Sequence, residues 1–144
     1  LNNNRLLSIN ENLFANLTSL VILNLSDCFI SSIEPNSFKD LGFLTELYLQ
    51  NNDLTTIGAS TFFGLRELNK LNLDNNMIAT VESNSFDSFK NFSQISLIGN
   101  ELTPEAITAL QNEYPQLALI FTNTVKKMRI DRIKILNKLG NKSK

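Results

Sequence analysis

Chemistry in this chain would fall to carboxylates, one thiol and amides. Among its 144 residues there is no histidine and a single cysteine, Cys28. Histidine-based triads, histidine metal sites, imidazole acid/base catalysis and an intramolecular disulfide are thereby excluded. The candidate acid/base carboxylates Glu46, Asp74 and Glu101 fall in different segments with no enclosure foreseen around them. Acid/base pairs need enclosure and shifted pKa values, so no enzymatic role and no cofactor is expected. Cys28 reads either as a reactive or intermolecular thiol or as a small buried residue. With no base near it in sequence, and free cysteines being usually buried, the second reading is favoured. Four Asn-x-Ser/Thr triplets, at Asn16, Asn24, Asn91 and Asn141, have the pattern that accepts N-linked glycans, although an asparagine-rich chain also produces such triplets by chance.

The charge is unevenly placed. The net value is −1, which argues against a generic nucleic-acid or membrane binder. Residues 124–144, however, carry +7 and residues 1–123 carry −8. No 18-residue apolar run is present to span a bilayer. The start, Leu1-Asn2-Asn3-Asn4-Arg5, has neither an initiator Met nor the apolar core of a signal peptide. A longer or processed chain is expected, with upstream repeats or a partner covering the first coil.

What positions these groups is a repeat. Phe14, Phe38, Phe62 and Phe86 recur every 24 residues, as do Leu20, Leu44, Leu68 and Phe92, then Leu23, Leu47, Leu71 and Ile95, then Leu25, Leu49, Leu73 and Leu97. A Leu-x-Leu core has period 2 and reads as a short strand with one face inward. Five or six such strands stack in parallel. The rest of each unit is too short and irregular for a sheet partner and returns the chain across a convex side. Each unit is one coil of a solenoid, burying its apolar face only against its neighbours. The four phenylalanines are expected to stack in a row, each stabilising by about 1.5–3 kcal/mol through burial. Asn4, Asn52, Asn76 and Asn100 sit where the chain leaves the strand, positions from which an inward amide satisfies backbone groups of the turn. Cys28 takes the Asn place in that series.

The unit Leu44-x-x-Leu47-x-Leu49-x-x-Asn52-x-Leu54-x-x-Ile57-x-x-x-x-Phe62-x-x-Leu65 resembles the leucine-rich repeat family. The likeness is to the 24-residue, Phe-containing type of Toll-like receptor ectodomains, small leucine-rich proteoglycans and secreted insect immune proteins. It implies an α/β repeat solenoid, a curved right-handed coil with a parallel sheet on its concave face, an irregular convex side and a C-terminal helical cap. It also implies an extracellular setting, secreted or in the ectodomain of a membrane protein, with sequons available for glycosylation and signalling in innate immunity as a context.

The register sets the boundaries. Residues 1–123 form the repeat domain: a partial first repeat, units starting at 20, 44, 68 and 92, and a degenerate capping coil over 103–123. In that coil the register asks for apolar residues at 105 and 113, and both are Glu. A helix is expected instead, capped by Thr103, with Pro104 at its first position, Glu105 in its first turn and Tyr114-Pro115 ending it. A last edge strand is expected over Gln116 to Thr122. Residues 124–144 form a basic, helix-compatible tail with an impure 3-4 apolar spacing. It is open to packing on the acidic repeats, to a coiled-coil or helix partner, to an anionic membrane surface, or to remaining a solvated terminus.

Residues flanking the inward leucines point out of the sheet. These are Ile22, Asn24 and Ser26; Glu46, Tyr48 and Gln50; Lys70, Asn72 and Asp74; Gln94, Ser96 and Ile98. They are the expected partner-binding set, with Tyr48 as anchor because tyrosine is enriched at interface hot spots. A glycan on Asn24 would cover one end of it. The function expected is non-enzymatic recognition of a protein ligand or co-receptor on this face, with no nucleic acid as ligand. The alternative is a structural or matrix spacer anchored to an acidic surface by the basic tail.

Overall fold

The computed structural model describes residues 1–89 and 93–121. The repeat start at Phe92, the sequons at Asn91 and Asn141, and the whole of the tail 124–144 lie outside the described residues.

Among the described residues nine short strands and one helix are wound into a solenoid of about five turns. The principal sheet is parallel and five-stranded, in the order β2 (Ile22–Asn24), β4 (Glu46–Tyr48), β6 (Lys70–Asn72), β8 (Gln94–Ser96) and β9 (Ala118–Ile120). Its register steps by one repeat per strand, Leu23 facing Leu47, Leu71, Ile95 and Leu119 in turn. The inward member of each repeat's Leu-x-Leu therefore meets its equivalents, and Leu47, Leu49, Leu73 and Ile95 have no exposed surface. The last strand falls within the expected span.

The opposite wall of the core is the aromatic row. Phe14, Phe38, Phe62 and Phe86 stack with centroids 5.9, 6.2 and 6.0 Å apart. Leu110 takes the place of a fifth phenylalanine, and the Tyr114 ring closes the row edge-on against Phe86 at 5.5 Å. Burial, only partly offset by the Phe86 N–H, raises the Tyr114 pKa well above its ordinary value.

Three of the four asparagines act as expected, and Asn4 does not. Asn52 Oδ1 accepts the N–H groups of Cys28 and Ile30 at 3.0 Å each, and Nδ2 donates to the carbonyls of Leu25 and Leu49 at 2.9 Å. Asn76 and Asn100 repeat the pattern one and two coils on. Asn4 is exposed and donates to Leu1 and Asn2. Cys28 is fully buried, and its thiol donates to the carbonyls of Leu1 and Ser26 at 3.3 Å, standing in for the amide. A second series on the turn, Asn3, Asp27, Asn51, Asn75 and Gly99, is left-handed throughout, with φ between 53° and 77°. Asn, Asp and Gly are the residues that tolerate that region.

Helix α1 spans Pro104–Glu113, with Thr103 Oγ1 accepting the Ala106 N–H at 3.2 Å and Tyr114 donating back to Leu110 at 2.9 Å. On the return side the structure departs from the sequence expectation. The return segments do find sheet partners, as two two-residue parallel ladders: β1 (Ser8–Ile9) with β3 (Ser32–Ile33), and β5 (Thr56–Ile57) with β7 (Thr80–Val81). Two residues are too few to show a period, so the apolar spacing does not reveal them.

Candidate functional site

The outward face of the principal sheet is a grid one repeat per row. One column holds Ile22, Glu46, Lys70, Gln94 and Ala118, and the next holds Asn24, Tyr48, Asn72, Ser96 and Ile120. A third column continues past the strand ends through Ser26, Gln50, Asp74 and Ile98. Ala118 and Ile120 are absent from the sequence-based set. The 24-residue step from Gln94 and Ser96 would have found them, since it already places the last strand.

At the centre, three side chains organise one another. The Tyr48 hydroxyl donates to Glu46 Oε2, and the Lys70 ammonium lies 5.1 Å from the Tyr48 ring centroid. Tyr48 chiefly, and Glu46 to a smaller degree, hold the Lys70 pKa above its ordinary value against an opposing desolvation. Lys70 pairs in register with Glu46, so the side chains of two successive coils lean across the sheet onto one ring. A cation over an aromatic face fixes both side chains without burying the charge.

The neighbouring coil is tied differently. Asp74 Oδ1 accepts the Ser96 hydroxyl at 2.5 Å and the Ile98 N–H at 2.9 Å. Asn72 Oδ1 accepts the Asp74 N–H at 2.9 Å, and Asn24 makes the same bond to the Ser26 N–H at 3.0 Å. Glu46 and Asp74 are thus held by separate donors on separate coils, and Glu101 is exposed elsewhere on the chain. The three carboxylates do not converge. Among the described residues no three His, Cys, Asp or Glu side chains come together as metal ligands.

One member of the expected set is corrected. Ser26 is 4% exposed, although the left-handed residue after it and the N–H that bonds its carbonyl at 3.0 Å recur at half-buried Gln50 and Asp74. It presents almost nothing to a partner. Gln50 is half-buried, and its Oε1 has no hydrogen-bond partner among the described residues. A buried acceptor left unpaired is costly. Ile22 is 54% exposed at the first-coil edge of the face.

The two described sequons lie apart. Asn24 sits in the sheet face beside Tyr48. Asn16 is exposed in a turn with φ of 65°, its N–H bonded to Asp40 Oδ2 at 3.0 Å. No helix of the described residues is long and apolar enough to cross a membrane.

Two stretches, residues 1–54 and 43–102, match the family model described as leucine rich repeat. No curated protein sequence matches the chain. Among solved structures, the TLR13 chain of a TLR13–ssRNA13 complex superposes with a TM-score of 0.75 at 29% identity, over 83% of this chain and 17% of that one. A chain of the mouse RP105/MD-1 complex gives 0.57 at 26% identity, over 76% of this chain and 19% of that one. A chain of the Drosophila Toll–Spatzle complex gives 0.67 at 24% identity, over 83% and 17%, a likeness of fold alone. The chain spans less than a fifth of the length of each.

Proposed function

The chain belongs to the leucine-rich repeat family, and from that premise we propose that it is a recognition module binding a protein partner on the concave face of its five-stranded sheet. The observation that carries this is the locked arrangement of Glu46, Tyr48 and Lys70 at the centre of that face. A tyrosine whose ring and hydroxyl are already fixed loses little freedom on binding, which is what an interface anchor needs. Ile22 at one end and Ile98 and Ile120 at the other give the polar centre apolar flanks. Partner-binding residues on this reading are Ile22, Asn24, Glu46, Tyr48, Gln50, Lys70, Asn72, Asp74, Gln94, Ser96 and Ile98, with Ala118 and Ile120 added and Ser26 removed.

The ligand is a protein rather than a nucleic acid. Although one of the similar structures holds an RNA, Lys70 is the one cation in this grid against Glu46 and Asp74. Phosphate backbones are held by clusters of Lys and Arg, and this face has none. The family typically is not catalytic, and on this face Glu46 and Asp74 are engaged as structural acceptors. An extracellular role in receptor assembly or innate immunity is supported by the likeness to Toll-type receptors, with Asn16 as the glycan acceptor that leaves the face clear.

Comparing what the native chain captures with what a Glu46→Lys, Tyr48→Ala, Gln50→Ala variant captures tests the proposal. The +7 charge of residues 124–144 favours a second reading, a spacer anchored to an acidic surface. That reading predicts salt-sensitive attachment that vanishes when 124–144 is deleted.

A further inference from the structure

The return side of the solenoid is zipped at two junctions and open at the one between them. Ser31 N–H to Leu7 O at 2.9 Å and Glu34 N–H to Ile9 O at 2.8 Å join coils one and two. Ala79 N–H to Thr55 O at 3.0 Å and Glu82 N–H to Ile57 O at 2.9 Å join coils three and four. Between coils two and three, β3 and β5 do not pair. Bonds hold on either side of the opening, from Asp53 N–H to Ile30 O at 2.9 Å and from Asn36 N–H to Ser60 O at 3.3 Å.

The sequence explains the gap. In coil two Glu34 Oε2 accepts the Glu11 N–H of the coil before at 3.3 Å, and in coil four Glu82 Oε2 accepts the Ala59 N–H at 3.0 Å. The equivalent residue in coil three is Gly58, and the group it would cap belongs to Pro35, which has no N–H. Ser37 and Ser85 donate to Ile9 O and Ile57 O across their junctions at 3.2 and 3.4 Å. Their equivalent, Thr61, instead accepts the Gly58 N–H at 3.0 Å. Three substitutions facing one junction, Pro35 in coil two and Gly58 and Thr61 in coil three, thus remove the target, the cross-coil carboxylate and the cross-coil hydroxyl. What remains is a cleft of about 480 Å³ lined by Ser31, Ser32, Thr55, Thr56, Ser60 and Glu82, within the usual range of ligand sites of about 300–1,000 Å³.

We propose that this cleft is a second binding site, separate from the concave sheet, for an extended peptide of a partner protein carrying a basic side chain. Two strand edges face each other across it, with the Thr55 N–H and the Ser31 and Ile33 carbonyls lacking the cross-coil partners their equivalents have. Unpaired strand edges are templates for an added chain, the main chain giving affinity and flanking groups giving selectivity. The Ser32, Thr56 and Ser60 hydroxyls both donate and accept. Glu82 is the one charge lining the cleft, and none of the described cations Arg5, Lys39, Arg66 and Lys70 borders it. Its sign therefore selects Lys or Arg.

The test pans phage-displayed random heptapeptides on the full chain and on a Pro35→Ala, Gly58→Glu variant. That variant restores two of the three features of the closed junctions, the cross-coil carboxylate and its N–H target, so it is expected to fold and to zip the cleft. The proposal expects Lys- or Arg-containing peptides that shift the Thr55 and Gly58 amide resonances, bind the closed variant at least tenfold more weakly and bind Tyr48→Ala unchanged. A Glu82→Gln chain, which keeps an acceptor for the Ala59 N–H, should select peptides without the basic preference. Failure to enrich any peptide that distinguishes native from closed chain overturns it. So do peptides whose shifts fall on residues 46–50, or a shift of the Thr55 and Gly58 amides on deleting residues 124–144, which would seat the chain's own tail in the cleft.

Discussion

The Tyr114 hydroxyl accepts the Phe86 N–H at 3.3 Å while its ring stands 60° to the Phe86 ring, so one residue closes both the backbone and the aromatic row at the end of the solenoid. The same hydroxyl donates to Asp87 Oδ1 at 3.3 Å. Tyr114→Phe keeps the ring and orphans a buried N–H, an expected loss of about 1–3 kcal/mol. Urea unfolding of the two chains at pH 8 checks it.

The pH dependence follows from the same residue. Its folded pKa is raised above the ordinary value of 10.0, so above pH 10 the unfolded chain releases the phenolic proton while the folded chain retains it. Stability from this group is fully present below pH 10 and falls as pH rises beyond it. Urea midpoints at pH 9 and pH 11 should show a decline in the native chain that is smaller in Tyr114→Phe.

Position in the phenylalanine row sets the cost of breaking it. Phe62 stacks on Phe38 and Phe86 and also meets Phe89, whereas Phe14 meets Phe38 alone in the row. Phe62→Ala is expected to cost about 3–5 kcal/mol, the range for a large buried aromatic, and Phe14→Ala less. Equal losses in urea unfolding would contradict a nearest-neighbour stack.

Cys28 is expected to be chemically silent. It is fully buried with its thiol hydrogen-bonded to two carbonyls, and buried thiols in such settings are inert. Titration with a disulfide reagent should give no reaction in native buffer and one equivalent in denaturant. Stoichiometric reaction of the folded chain would revive the reactive-thiol reading.

Much of this was legible because a 24-residue period is a strong constraint. Once Leu47 and Phe62 are placed, Leu71 and Phe86 follow, and the outward column from Glu46 to Lys70 follows with them. Side-chain exposure beyond the strand was not legible: Ser26 has the same period as Gln50 and the same left-handed residue after it, yet it is buried where Gln50 is half-buried. Nor does a period reveal its own local failures. Pro35, Gly58 and Thr61 are each unremarkable alone and open a cleft only because all three face one junction. Tyr114 reads as a helix stop, and its role as the lid of the aromatic row depends on the angle at which α1 returns.

If the chain is secreted from eukaryotic cells, Asn16 is the expected glycan site, being exposed in a turn away from the sheet face. Peptide mapping after N-glycosidase treatment should find it converted to Asp. Full occupancy at Asn24, beside Tyr48, would instead block the proposed face.

The central claim is that partners dock on the concave sheet around Tyr48. The direct measurement is affinity for whatever protein the native chain captures, compared across the native chain, the Glu46→Lys, Tyr48→Ala, Gln50→Ala variant and the closed-cleft variant, all matched for folding by circular dichroism. A loss of tenfold or more in the first variant alone is the expected result. Unchanged affinity there would remove the sheet face as the site of recognition.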